Sequence, residues 1–408
     1  MPYKSKTYSS RRFGGNYHGG GASSYSSSGR SRSSGGSKGP KKDYIDPARF
    51  VKVAQPTEAM EYTPLHEFVD FDVNLLIKAN LDAKGYKTPT PIQDKTIPAA
   101  LAGRDIIGIA DTGTGKTAAF AIPLLQAMML GDARALVIAP TRELAQQIDA
   151  EFRWIAKGSN LKGATLIGGA GIGPQLRDLR ANPQIVIGTP GRIKDHLERG
   201  SLRLDNFTFV VLDEVDRMLD MGFVNDVRNI LNRVSAKRQS FFFSATMDPK
   251  VNALIETFAS DPITISIKTG DTGENIHQDV VRVGHDSEKM DKLHDLLISG
   301  ELRKVIIFDD TQRSVERLSK ELISRGFSAD AIHGGKTQGA RQRSLKKFKD
   351  NEVKILVATD VAARGIDVAG ITHVINYSTP KSYADYVHRI GRAGRAGKIG
   401  YALTFITQ

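Results

Sequence analysis

Short runs of β-branched and aromatic residues recur along this chain, each followed by a helical stretch. The runs at 105–110, 133–140, 163–169, 185–189, 207–214, 239–246 and 263–267 read as strands. A polar link at 268–275 interrupts the series, which then resumes at 278–284, 304–310, 327–334, 354–360, 373–378 and 401–407. Alternation of this kind builds parallel sheets with helices packed on both faces. Two sets on either side of one link predict two α/β domains in tandem. The longest nearly apolar run, 118–130, contains Pro123 and Gln126 and falls short of the ~20 residues needed to span a bilayer, so it reads as a buried helix.

The first 42 residues break the pattern. They hold 12 Ser, 9 Gly and no Val, Leu or Ile, too little apolar surface to offset the entropy of ordering. The segment is expected to be a disordered tail. It also carries nine Lys and Arg and no acid, so of the net +12 only +3 belongs to the other 366 residues. The basic character is that of an arm on a nearly neutral body. Arg11, Arg12, Arg30 and Arg32 stand among Tyr3, Tyr8, Phe13, Tyr17 and Tyr25. Cation and ring together suit single-stranded nucleic acid, and a solubilising tail is the alternative. An organellar transit peptide needs an amphipathic helix, which nine glycines and no leucine do not make. The chain has no cysteine, which excludes disulfides, thiolate catalysis and cysteine metal sites.

Candidate chemistry begins at the end of the run at 105–110. Asp111-Thr112-Gly113-Thr114-Gly115-Lys116-Thr117 follows it and leads into the helical Ala118-Ala119-Phe120. Glycines let backbone N–H groups curl around phosphate oxygens, and the helix N-terminus adds positive charge. In such a loop Lys116 reaches the β- and γ-phosphates, and the Thr117 hydroxyl ligates Mg²⁺. The strict phosphate-loop pattern has glycine where Ala110 stands. About 100 residues on, an apolar run ends in Asp213-Glu214-Val215-Asp216, which delivers acids at the carboxyl tip of a buried strand. Asp213 is placed to hold Mg²⁺ and Glu214 to deprotonate the attacking water.

These segments, with others, resemble the DEAD-box family of ATP-dependent RNA helicases from about Phe68 to the C-terminus. Ala110 through Thr117 fits that family's own phosphate loop, which opens on alanine. Gly85-Tyr86 and Pro89-Thr90-Pro91-Ile92-Gln93 resemble the adenine-reading segment. The resemblance implies that Gln93 bonds the adenine edge, that Phe68 stacks on the ring, and that Thr112 lies in the nucleotide loop. Pro140-Thr141-Arg142-Glu143-Leu144-Ala145, Gly168-Gly169 and Thr189-Pro190-Gly191-Arg192 resemble the segments that line an RNA track. It implies backbone contacts from Arg142, Gly169, Thr189 and Arg192, joined by Arg341 and Thr359. Asp216 with Ser244-Ala245-Thr246, and Arg364 and His388, would link the ATP state to the RNA state. Asp367 would reach the ribose, and Arg392 and Arg395 of His388-Arg389-Ile390-Gly391-Arg392-Ala393-Gly394-Arg395 would face the γ-phosphate. Two residues depart from the pattern: Val215 replaces the alanine that names the family, and Ala393 replaces a threonine. Val215 adds two carbons beside Asp216 and is expected to alter its contact with Ser244 and Thr246.

The resemblance thus implies two RecA-like domains, at 68–268 and 276–408, behind the tail at 1–42 and an extension at 43–67. ATP and Mg²⁺ would sit between them, and RNA would favour the closed form. The expected activity is RNA-stimulated ATP hydrolysis with local duplex unwinding or ribonucleoprotein remodelling, by a monomeric core in the cytoplasm and without a membrane. A non-catalytic ATP-gated RNA clamp is the alternative, but it predicts a missing base or finger, and Glu214 and Arg395 are both present. A DNA-translocating motor of the same fold leaves the Gln93 segment unexplained. The extension, with Phe50 and Tyr62, is expected to pack on the first domain. Trp154, Met128 and Met129 read as core, and His196, His285 and His294 as surface.

Overall fold

The computed structural model describes residues 45–54, 62–111, 113–267, 275–299, 302–363, 366, 368–394 and 398–407. The tail at 1–42 and most of the link at 268–275 therefore lie outside the described residues.

Among the described residues the strands are β1 Ile106–Ile109, β2 Ala135–Ile138, β3 Gly163–Leu166, β4 Ile185–Gly188, β5 Phe209–Leu212, β6 Gln239–Ser244, β7 Ile263–Ser266, β8 Ile276–Val283, β9 Val305–Phe308, β10 Ala329–Ile332, β11 Ile355–Ala358, β12 His373–Asn376 and β13 Gly400–Thr407. Each corresponds to a run expected from the sequence. They form two wholly parallel sheets, ordered β3-β4-β2-β5-β6-β1-β7 and β10-β11-β9-β12-β13-β8. The apolar runs alternate between faces: Ala135 and Val137 pack in one core, Leu136 and Ile138 in another. In the second sheet Val305 and Ile307 face one core, Ile306 and Phe308 the other. Helices cover both faces, as continuous apolar strands require. The helix Lys116–Leu130 is buried along most of its length, and no helix among the described residues is long and apolar enough to cross a membrane.

Register decides where chemistry can collect. Ile109 of β1 aligns with Ser244 of β6, Leu212 of β5 with Phe242, and Ile138 of β2 with both Leu212 and Gly188. The tips of β1, β2, β4, β5 and β6 therefore emerge along one carboxyl edge, where ligands bind in open parallel sheets.

The extension corrects one expectation. Residues 45–54 lie on the second sheet, not the first. Pro47–Phe50 makes one short 3₁₀ turn capped by Asp46, and Lys52 then pairs antiparallel with Gln278 on the edge strand β8. Phe50 is fully buried beside Tyr386, with ring centroids 4.6 Å apart, among Ile276, Ile390 and Ala402. Burying such a ring stabilises this docking by roughly 1.5–3 kcal/mol. Further on, Tyr62, Leu65 and His66 contact the first domain through Asp94.

His196 is a second correction. It is fully buried, with Nδ1 2.8 Å from Ser201 Oγ and Nε2 3.3 Å from Gln175 Oε1. Burial, aided by Arg192, pulls its pKa below the ordinary histidine value. It is a hydrogen-bonded joint between two helices. His285 is exposed, whereas His294 is half-buried against Phe327. Met128 is core, and Trp154 and Met129 pack at its margin.

Candidate nucleotide and RNA site

The phosphate loop leaves β1 and enters the helix that begins at Lys116. Gly113 and Gly115 hold φ of +86° and +90°, a left-handed backbone that admits few other residues. A Cβ on Gly115 would sit 2.4 Å from Gln93 Nε2, so the loop and the segment that carries Gln93 touch. Gln93 Nε2 donates to Gly115 O at 3.0 Å, and its Oε1 accepts from Thr90 N at 2.9 Å. Thr90 Oγ1 donates to Thr114 O at 2.8 Å. A primary amide offers two N–H and two lone-pair directions, and these two bonds use one of each. Lys116 is buried and donates to Ala110 O at 2.7 Å, while Thr114 Oγ1 donates to Asp111 O. Phe68 is only 3% exposed and packs edge-on against Phe71 and tilted on Tyr86, so this ring is chiefly part of the core. Thr112 lies outside the described residues.

At the tip of β5, Asp213 is buried and accepts from Glu214 N at 3.0 Å. Burial pushes the Asp213 carboxyl up to about 6, against the pull of Lys116 and with a further push from Glu214. Glu214 has φ of +55° and starts the short helix Val215–Asp220. That strained turn aims its side chain, and Arg217 three residues on holds it: Nη1 donates to Glu214 Oε2 at 3.1 Å, with both groups buried. Sequence reasoning passed over Arg217, although i to i+3 spacing on a helix was a usable cue.

Asp216 joins β5 to β6. Its Oδ2 accepts from Ala245 N, Thr246 N and Thr246 Oγ1 at 3.1, 3.0 and 3.1 Å, and its Oδ1 accepts from Arg217 N. Ser244 Oγ accepts from Asp216 N and donates to Thr246 O. The contact expected to suffer from Val215 is thus intact. Val215 points away, fully buried among Met218, Leu212 and Val251.

The proposed RNA residues of the first domain gather at two helix N-termini. Arg142 opens the helix Arg142–Ile155 beyond β2, and Thr189 precedes the helix Pro190–Glu198 beyond β4 without spending its hydroxyl on the cap. Gly169, at φ +73°, lies so close to Arg142 that a Cβ would fall 2.0 Å from Nη1. Arg192 Nη1 donates to Ala170 O at 3.3 Å. Together with Gly334, Arg341 and Val361 of the second domain, Arg142, Gly168, Thr189 and Arg192 line a cavity of about 460 Å³. Arg341 is not open to a phosphate in this arrangement. Its Nη2 is 2.8 Å from Glu143 Oε2, with both side chains buried, and Gln338 Nε2 donates to Gln146 Oε1 at 3.0 Å. Nothing local marks Glu143 as the partner, because it stands on the other domain. Thr359 is buried at the tip of β11, and its carbonyl accepts from Ala362 N and Ala363 N.

On the second domain the arginine segment is mostly interior. Arg389 is 2% exposed, gives Asp360 two hydrogen bonds of 2.5 and 2.8 Å, and bonds Asn376 Oδ1 and Ser378 O. It ties β9, β12 and the turn after β11 together. Arg392 is also buried and donates to Ile366 O at 2.9 Å, and His388 lines a small hollow with Phe308, Asp360, Asp385, Arg389 and Arg392. Arg364, Asp367 and Arg395 lie outside the described residues.

Comparison with known proteins agrees with this geometry. The DEAD/DEAH box helicase family matches residues 90–254, and the helicase conserved C-terminal domain matches 288–397. ATP-dependent RNA helicase CshA of Listeria monocytogenes is 46% identical over 83% of this chain and 66% of its own length. DEAD-box ATP-dependent RNA helicase CshA of Bacillus subtilis is 44% identical over 83% of this chain and 69% of its own. The chain thus spans about two thirds of these relatives. Among solved structures, S. cerevisiae Dbp5 bound to RNA and ADP BeF3 gives a TM-score of 0.74 at 28% identity, covering 84% of this chain and 89% of that one. A variant of the same yeast protein bound to a Gle1 variant and IP6 gives 0.68, also at 28% identity, covering 85% and 90%.

Proposed function

This chain belongs to the DEAD-box family of ATP-dependent RNA helicases, and on that premise we propose that it couples RNA-stimulated ATP hydrolysis to local duplex unwinding or RNA–protein remodelling. One observation carries the reading. The phosphate loop, the Asp213–Glu214 pair and the Arg142–Arg192 groove all open on the same carboxyl edge, and Asp216 ties the acidic tip to Ser244 and Thr246. A change at the nucleotide therefore has a short, hydrogen-bonded route toward the second domain. The higher TM-score to the RNA- and nucleotide-bound yeast protein supports an arrangement of the two sheets close to the liganded one.

The residues fit their ligands. The loop N–H groups around Gly113 and Gly115, together with Lys116, receive the phosphates, and the spare donor and acceptor of Gln93 suit the N6 and N7 edge of adenine. Mg²⁺ would be held by Thr117 and Asp213, whose buried carboxylate faces Lys116 and has room in its charge balance for a cation. When bound, the metal neutralises charge on the phosphate oxygens. Glu214, fixed by Arg217, takes the proton of the attacking water. The second domain supplies positive charge through Arg392 and Arg395, so an open cleft is nearly inactive and RNA that favours closure stimulates turnover. Arg142, Gly169, Thr189 and Arg192 hold the RNA backbone without reading bases, with Thr359 and a released Arg341 beyond them. One chain supplies both sides of the cleft, so we propose that it works as a monomer. The deciding experiment is ATP turnover with and without RNA, with matched single-stranded DNA as control. Strong stimulation by RNA alone is expected. Equal turnover in all three conditions overturns the reading.

A further inference from the structure

The extension that the sequence left without a role touches both domains. Its first piece, residues 45–54, is anchored on the second domain through buried Phe50, the Lys52–Gln278 bridge and Arg49, whose guanidinium lies 3.8 Å from the Tyr383 ring centroid. Ala54 N also donates to His277 Nδ1 at 3.2 Å. Its second piece, residues 62–66, closes on Asp94, the residue after Gln93 on the helix Pro91–Leu101. Asp94 Oδ2 accepts from Tyr62 Oη at 2.5 Å and from Leu65 N at 2.8 Å, and His66 Nδ1 lies 2.7 Å from Oδ1. Asp94 is 1% exposed, so its carboxylate depends on these partners in place of water. Burial alone would raise the Asp94 carboxyl, but the bonds from Tyr62, Leu65 and His66 outweigh it and hold the group below the usual range. Burial and Asp94 together push the Tyr62 hydroxyl up to about 12, so it remains a donor at any working pH.

We propose that Tyr62 and His66 are positioning residues for nucleotide recognition, clamping the helix that carries Gln93, and that the Phe50 anchor couples this clamp to the second domain. The inference rests on the adenine-reading role proposed for Gln93. Its physical basis is a tether. Eight Cα–Cα steps separate Ala54 from Tyr62, and at ~3.3–3.6 Å per residue they limit that span to roughly 28 Å. With both ends fastened, the second domain stays within reach of the nucleotide, which raises its effective concentration at the cleft.

The test measures KM for ATP, the ATP-to-GTP ratio, RNA-saturated kcat and the RNA concentration for half-maximal turnover. Tyr62→Phe removes one charge-assisted hydrogen bond and should raise KM for ATP roughly five-fold and erode the preference over GTP, with kcat within two-fold. Phe50→Ala should move KM the same way and raise the half-maximal RNA concentration roughly ten-fold. Arg49→Ala, an exposed change that leaves the fold alone, should give a weaker version of the Phe50→Ala result. Because the chain has no cysteine, Lys52→Cys with Gln278→Cys can form a single disulfide at the anchor. Oxidation of that pair in the Phe50→Ala background should restore both constants, and reduction should remove the rescue. Gln93→Ala is the control. If it raises KM while the Tyr62, Phe50 and Arg49 variants behave as wild type, the clamp is overturned and the base reader stands. If Gln93→Ala itself leaves KM and the ATP preference untouched, the base-reading role falls, and the positioning role with it.

Discussion

Two carboxylates join distant stretches of this chain, and they do so differently. At Asp216 both oxygens are used, the donors are two backbone amides and one hydroxyl of β6's tip plus Arg217 N, and everything lies within the first domain. At Glu143 the partners come from the second domain, Arg341 at 2.8 Å and Gln338 at 3.3 Å. There the pairing is incomplete: Gln338 Oε1 and Arg341 Nε are buried without a hydrogen-bond partner. An unmet buried polar group costs about 1–3 kcal/mol. The Asp216 cluster is therefore satisfied in one arrangement, whereas the Glu143 seam leaves two buried polar atoms unmet. On the proposed mechanism, in which the cleft opens and closes, this sets a stiff relay inside one domain beside a looser seam between two.

The stiff side should show the largest effects. Glu214→Gln keeps the fold and both ligands but removes the base, so turnover should fall by at least ~10²-fold. Turnover within two-fold of wild type takes Glu214 out of the chemistry. Asp216→Asn comes next. One oxygen of Asp216 faces three donors and the other faces Arg217 N, so an amide must point its NH₂ at a donor either way. The loss of about 1–3 kcal/mol should appear as fewer strands separated per ATP, with RNA-free ATP affinity unchanged. Normal unwinding per ATP would show that the relay runs elsewhere.

The same contrast explains how far the sequence could be read. Every strand and the phosphate loop were legible because apolar runs, glycines and a terminal Lys-Thr are local signals. The Asp216 contacts with Ser244 and Thr246 were legible only as a family resemblance, and the burial of Val215 in the cluster of Met218 and Val251 cannot be seen in one dimension. The Glu143–Arg341 seam, the docking of Phe50 on β8 and the burial of His196 were not legible. Each is a contact fixed by tertiary packing, and each involves a residue whose type fits a surface equally well. The packing of Phe68 on Phe71 and Tyr86 is likewise a tertiary contact that spacing along the chain does not show.

The seam can be probed by a double-mutant cycle. Arg341→Met leaves the Glu143 charge buried with only the Gln338 amide and no cation, which costs about 3–5 kcal/mol when no relaxation is possible. Here the domains can part instead, so the cost should appear as a higher RNA requirement, roughly ten-fold, with little change in thermal stability. Adding Glu143→Gln should recover part of the loss, because the stranded charge is gone. A fall in melting temperature as large as that of a core deletion would mean the seam is structural, and the contrast with Asp216 would fail.

Removing the arm should affect turnover least, and for that reason it separates charge attraction from closure. Residues 1–42 carry +9 while the rest of the chain carries +3. The proposed RNA groove is mixed in sign, with Arg142 and Arg192 beside Glu143 and Asp195. Neither the relay nor the seam can therefore supply much nucleotide-independent attraction for a polyanion. Each phosphate neutralised on a single strand adds ~0.7 to the slope of log affinity against log salt. A chain lacking residues 1–42 should bind RNA more weakly without nucleotide and with a flatter salt slope, and the deficit should be greatest on long RNAs, where tethering raises local concentration. Its RNA-saturated turnover should match the full chain, since Phe68, Lys116, Glu214 and the groove all remain. Affinity measured across salt, beside saturated turnover, gives both numbers. An unchanged slope would assign the attraction to the folded domains, and a collapse of saturated turnover would make the arm part of closure itself.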